Sequence, residues 1–139
     1  MAEVFGGFVS GYILALLSTA PVAVGIFRLR AHNDLLARVV PEASVIQFSV
    51  VLHGALFLFW TLIGLVLGLV LLAMNDSDGA LGSANAPFTL FVAALTLAVV
   101  APLFAVVAPA RRYILAAALI VLLTFGWLMP WLAEWSTFE

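Results

Sequence analysis

Long apolar runs alternate along the chain with short polar interruptions, and the lengths of the runs decide how it reads. Val4–Phe27, Val45–Met74, Phe88–Ala108 and Ile114–Ala133 are almost free of charge. A membrane-crossing helix needs about 20 mainly apolar residues, so each run predicts one span. Residues 28–44, 75–87 and 109–113 are then the connecting loops. The expected fold is all-α: a polytopic integral membrane protein, one four-helix transmembrane bundle in a single membrane domain over residues 1–139.

The second run is long: at about 1.5 Å per residue it would reach about 45 Å, against a hydrocarbon core of about 30 Å. It must tilt or protrude. Pro41 and Glu42 suit its first turn. Within the first loop, Asn33 could cap a short interfacial helix over Asp34–Val40, with Arg38 paired to Asp34. The segment NDSDGALGSANAP reads as a solvated turn. Its Asp76 and Asp78 look like half a calcium loop, but the glutamate such a loop needs is missing, and no metal site is expected.

Charge sets an orientation. Arg28, Arg30 and Arg38 fall in the first loop and Arg111 and Arg112 in the third. With four spans these loops share a side. Cytoplasmic loops carry the excess of basic residues, so these loops are expected inside. Both termini and the 75–87 loop are then outside, with Glu3, Asp76, Asp78, Glu134 and Glu139. The expected location is a plasma membrane, crossed several times, of the bacterial inner-membrane kind. The first span could be mistaken for a secretory signal, but Glu3 stands where a basic region belongs, and a retained span is expected. Trp127, Trp131 and Trp135 recur every four residues at the outer end of span four. Phe5, Phe8 and Tyr12 in span one, and Phe88 and Phe91 in span three, join them in an expected interfacial belt.

Composition agrees with lipid as solvent. Apolar residues make up 66% of the 139 and charged residues 9%, against about 45–50% and 25% in soluble domains. There is no cysteine, so disulfide, thiolate and Cys-ligated metal chemistry are excluded. All five cations are arginines, which excludes lysine-dependent chemistry. A net charge of −2 gives no reason to expect a nucleic-acid partner. The expected partners are the lipid bilayer and other membrane subunits or a second copy.

Small residues mark where membrane helices come close. In span one, Gly7, Gly11, Ser18 and Gly25 share one narrow stripe at about 100° per residue. Gly64 and Gly68 repeat the pattern in span two, and Ala94, Ala98, Ala101 and Ala105 form a ladder in span three. All are expected to pack helices. Ala-Pro steps at Pro21 and Pro102 occupy matching places in spans one and three, a hint of two repeated hairpins.

Span two also carries the polar positions. Ser49, His53, Trp60 and Thr61 share an arc of about 120° with Gly64 and Gly68, a face expected to look into protein. Three roles for His53 follow. It can be an interhelical strut to Ser18, Thr19 or Thr124. It can be a titratable group on a transport pathway beside Ser49, Trp60 and Thr61. It can also be an axial haem ligand, with its second ligand from a symmetric dimer or a methionine. No cofactor follows from the sequence by itself.

No Asp, Glu or Arg lies deep in a span. Proton- and cation-coupled carriers usually place a carboxylate there, and hydrolysis by paired acids or a Ser-His-Asp set lacks its acid. No enzymatic activity is expected. The reading is a non-enzymatic structural or accessory subunit of a larger membrane complex or homo-oligomer. The alternatives are an oligomeric channel or carrier with His53 on its path, and a haem-binding subunit.

Overall fold

A computed structural model describes residues 1–30, 45–78, 86–106 and 110–135. Within them the chain forms α1 (Ala2–Arg30), α2 (Val45–Asp78), α3 (Ala86–Val106) and a composite fourth rod. That rod is α4 (Arg111–Val121), a π-helical segment (Leu122–Leu128) and α5 (Met129–Trp135). Four helical stretches are long and apolar enough to cross a membrane: Ala2–Arg28, Gln47–Met74, Ala86–Val106 and Arg111–Trp135. These features make the chain a multi-pass membrane protein by composition and length. Arg38 and the short helix expected over Asp34–Val40 lie outside the described residues.

The glycines decide which helices meet. α1 and α2 run antiparallel with their two GxxxG stripes face to face. A Cβ on Gly7 would strike the Gly64 carbonyl, and one on Gly64 would strike Gly7 in return. A Cβ on Gly68 would sit 2.7 Å from the Glu3 carbonyl, and one on Gly11 would sit 2.8 Å from Thr61 Cα. Close backbone approach of this kind is how helices associate where water supplies no driving force. Edge-on ring pairs extend the seam: Phe8 and Tyr12 against Phe57, and Phe27 against Phe48, centroids 5.6 Å apart.

A further glycine, Gly6, turns toward the fourth rod. A Cβ there would lie 3.0 Å from the Met129 carbonyl and 3.2 Å from the Ala133 nitrogen. α1 therefore sits in the middle, with α2 on one side and α5 on the other.

The fourth rod changes pitch for a reason. Pro130 has no N–H, so the Gly126 carbonyl loses its α-helical donor, and the proline ring crowds the turn before it. The turn widens: Met129 N–H reaches the Thr124 carbonyl, five residues back. Thr89 of α3 supplies the donor that Gly126 lacks, its hydroxyl bonding that carbonyl at 2.8 Å. Ordered side chains re-satisfying freed backbone is what permits such breaks in membrane helices.

The core lies toward one end. Leu14, Leu67, Leu71, Phe88, Val92, Phe125, Met129 and Ala133 form the buried cluster. Glu3 is also buried here and accepts a hydrogen bond from the Met1 amine at 3.1 Å. Glu3, Asp76, Asp78 and Glu134 lie at this carboxylate end of the helices, and Arg28, Arg30, Arg111 and Arg112 at the other. Toward the arginine end α1 and α2 stay together at Phe27 and Phe48, but α4 has no buried residue, and in α3 only Phe88 and Val92, near its start, are buried.

The aromatic positions divide. Trp127, Trp131, Trp135, Phe5, Phe8, Tyr12 and Phe91 are exposed near the carboxylate end. Phe88 is instead fully buried, because the start of α3 turns it into the cluster with Leu71 and Met129. The two Ala-Pro helices also pack differently. α1 is locked to α2 by glycines, whereas α3 touches the fourth rod through Thr89, Phe88 and Val92.

Candidate functional site

Polar side chains within the spans gather at the α1–α2 seam. Ser18 and Thr19 follow Ala15 by three and four residues, and both donate to its carbonyl, at 3.2 and 2.7 Å. Hydroxyls one turn along commonly bond back in this way inside apolar helices. α2 then adds two more groups. Trp60 Nε1 donates to Ser18 Oγ at 3.1 Å, and His53 Nδ1 lies 2.8 Å from Thr19 Oγ1. His53 and Trp60 are seven residues apart, two helical turns, so one face of α2 carries both. Of the three candidate partners for the imidazole, Thr19 is the one bonded.

The proton directions follow from counting. Thr19 has a single O–H, and Ala15 takes it. The His53 contact is then a bond only if Nδ1 carries hydrogen and donates. Indole and imidazole thus both feed, through a hydroxyl each, into the one Ala15 carbonyl, which is fully buried.

Thr61 is turned away from any path. It is buried against Gly11, and its hydroxyl is returned to its own helix at the Phe57 carbonyl, 2.6 Å. Ser49 is half-buried one turn before His53. Thr124, in the π segment, donates to Ile120 in its own rod at 2.8 Å. The polar face of span two is therefore an interhelical surface against α1. Among the described residues no three His, Cys, Asp or Glu side chains come together as a metal cluster. Met129 is buried in the core and Met74 packs against it, toward the opposite end from His53. His32 lies outside the described residues.

The packing residues separate into two sets. Gly7, Gly11, Gly64 and Gly68 are buried in the α1–α2 seam. Ala94, Ala98, Ala101 and Ala105 are all exposed, with no packing role among the described residues. At about 100° per residue, they lie roughly opposite Phe88, Thr89 and Val92, the side by which α3 holds the rest of the molecule.

Toward the arginine end α1 and α4 part around a cavity of about 670 Å³. Arg28 and Tyr113 stand at one end of it, Leu14 and Trp60 at the other. Arg111 turns elsewhere: its Nε donates to the Phe104 carbonyl at 3.1 Å, and its guanidinium lies 5.0 Å over the Phe104 ring. No local pattern in the sequence marks this groove, the Gly6 contact or the widened turn before Pro130, except that the proline itself signals the last.

No protein-family model, no curated protein and no solved structure matches the chain.

Proposed function

We propose that this protein is a non-enzymatic membrane subunit, docked through the alanine face of α3 to a helix of another subunit or of a second copy. The observation that carries this reading is the outward ladder Ala94, Ala98, Ala101 and Ala105 on a helix that the described residues barely cover. Glycine stripes of the same spacing are used up within the chain, at the α1–α2 seam. Small residues in that pattern favour close helix association in lipid. The non-enzymatic part of the reading rests on the sequence, which places no acid–base pair or thiol in a span.

The orientation belongs to the same proposal. With the arginine end inside, both termini lie outside and the protein sits in a plasma membrane. A carrier built around His53 has less support, because His53, Trp60 and Thr61 are engaged at the α1–α2 seam. A haem held by His53 would need its second ligand from a partner chain or from residues beyond those described.

The chain has no cysteine, so single substitutions report proximity cleanly. Ala98→Cys or Ala101→Cys should cross-link efficiently to a partner helix in the native membrane. Leu95→Cys, exposed on α3 but off the alanine stripe, should not. Equal yields at all three positions would overturn the docking face.

A further inference from the structure

We propose that the groove between α1 and α4 is a binding site for one acyl chain of an anionic phospholipid, with its headgroup held at Arg28. This is independent of the partner that α3 docks. The groove follows α1 from Leu14 to Arg28, about 21 Å at the helical rise of about 1.5 Å per residue. Half a hydrocarbon core of about 30 Å, plus one interfacial layer, needs about that depth. The site therefore spans a single leaflet, as an acyl chain and its headgroup do.

Its walls are aliphatic, including Leu17, Pro21, Ile120 and Val121. Leu17 and Ile120 are also exposed, so the groove opens sideways, where a lipid can enter from the bilayer. Its volume of about 670 Å³ falls within the usual span for pockets that hold small organic molecules, about 300–1,000 Å³. The floor is closed by Trp60, whose indole N–H is taken by Ser18. No polar demand is thus left at the deep end. Gly25 widens the groove: it lines the wall, and a Cβ there would meet nothing within 4 Å. Gly25 lies three residues before Arg28, so its missing side chain leaves room just beneath the mouth.

Apolar walls do not choose between lipids, since any acyl chain would fill them. The charge at the mouth does. Arg28 lines the groove and Tyr113 stands across from it. By sequence the two loops at that end carry five arginines against Asp34 and Glu42, a net positive charge. Anionic headgroups gain about fivefold in binding for each arginine brought near them.

The test uses the full chain, stripped of lipid in detergent. It is then offered equal amounts of phosphatidylglycerol and phosphatidylcholine with identical chains, and retained lipid is read by native mass spectrometry. Phosphatidylglycerol should be retained with a preference of about fivefold. Arg28→Gln should bring that ratio close to one while leaving chain retention in place. Gly25→Phe and Ala117→Phe, which fill the groove from opposite walls, should lower retention of both lipids. Thermal midpoints show that each variant is folded, and the exposed Arg28→Gln decides the matter if a filling variant is not. Equal retention of the two lipids, a preference unaffected by Arg28→Gln, or folded filling variants that hold lipid as the parent does would each overturn the proposal. So would a dimer that retains no lipid, which would give the groove to a second copy.

Discussion

His53 Nδ1 lies 2.8 Å from the hydroxyl of Thr19, which gives its own proton to Ala15 one turn earlier. With the Thr19 proton on Ala15, the imidazole is the donor, with hydrogen on Nδ1; the other tautomer would turn that proton to His53 and leave the Ala15 carbonyl to Ser18. The ¹⁵N chemical shifts of the ring should show Nδ1 protonated, and Thr19→Val should remove that preference. Interhelical hydrogen bonds in lipid are worth about 0.6–2 kcal/mol, and Thr19→Val or His53→Ala should cost an amount in that range. A neutral ring protonated on Nε2 alone would contradict the network.

The glycine seam makes a sharper contrast. Gly7→Ala and Gly64→Ala each drive a methyl group into the facing backbone, which cannot move without separating α1 from α2. Each should lower the thermal midpoint strongly, with a cost of several kcal/mol, about 3 or more, as for other severe core lesions. Gly25→Ala meets open space and should be neutral or slightly stabilising, since alanine is the better helix former by about 1 kcal/mol. Similar losses at all three glycines would show that α1 and α2 are not seated on these stripes.

Thr89 and Pro130 are linked through a third residue. Thr89 donates to the Gly126 carbonyl because Pro130 cannot. Thr89→Val should therefore cost about 1 kcal/mol. Pro130→Ala restores an N–H four residues after Gly126, and in that background the same substitution should cost clearly less. A double-mutant cycle of thermal midpoints measures the difference. Additive effects would sever the link between the proline and the threonine.

Orientation has a direct readout. Ser83→Cys in the 75–87 loop should react with a membrane-impermeant maleimide on intact cells, and Ala110→Cys beside the arginine pair only after lysis. The reverse pattern would place the arginine end outside.

The four spans, and the gathering of Arg28, Arg30, Arg111 and Arg112 at one end of them, were legible in the sequence because bilayer thickness and charge act on local stretches of chain. The glycine stripes were legible as surfaces that invite close packing. Which stripe meets which is a long-range matter, and only the fold pairs Gly7 with Gly64 or gives His53 to Thr19 rather than Thr124. The alanine ladder shows the limit of such reading: its spacing resembles that of the glycines, yet it faces outward. The π-helical turn was hidden for a similar reason. Pro130 marks a missing donor, but its replacement comes from Thr89, 41 positions away in the chain. The α1–α4 groove had no local signal, since it is a space left where two helices part.

We have proposed that the exposed face of α3 belongs to an interface. Native mass spectrometry of the protein, extracted from its own membrane in mild detergent, tests it most directly. The protein should show a fixed stoichiometry with itself or with other membrane chains, and a chain carrying both Ala98→Leu and Ala101→Ile should run free of them. A parent protein that is monomeric throughout, or a double variant that assembles as the parent does, would contradict it.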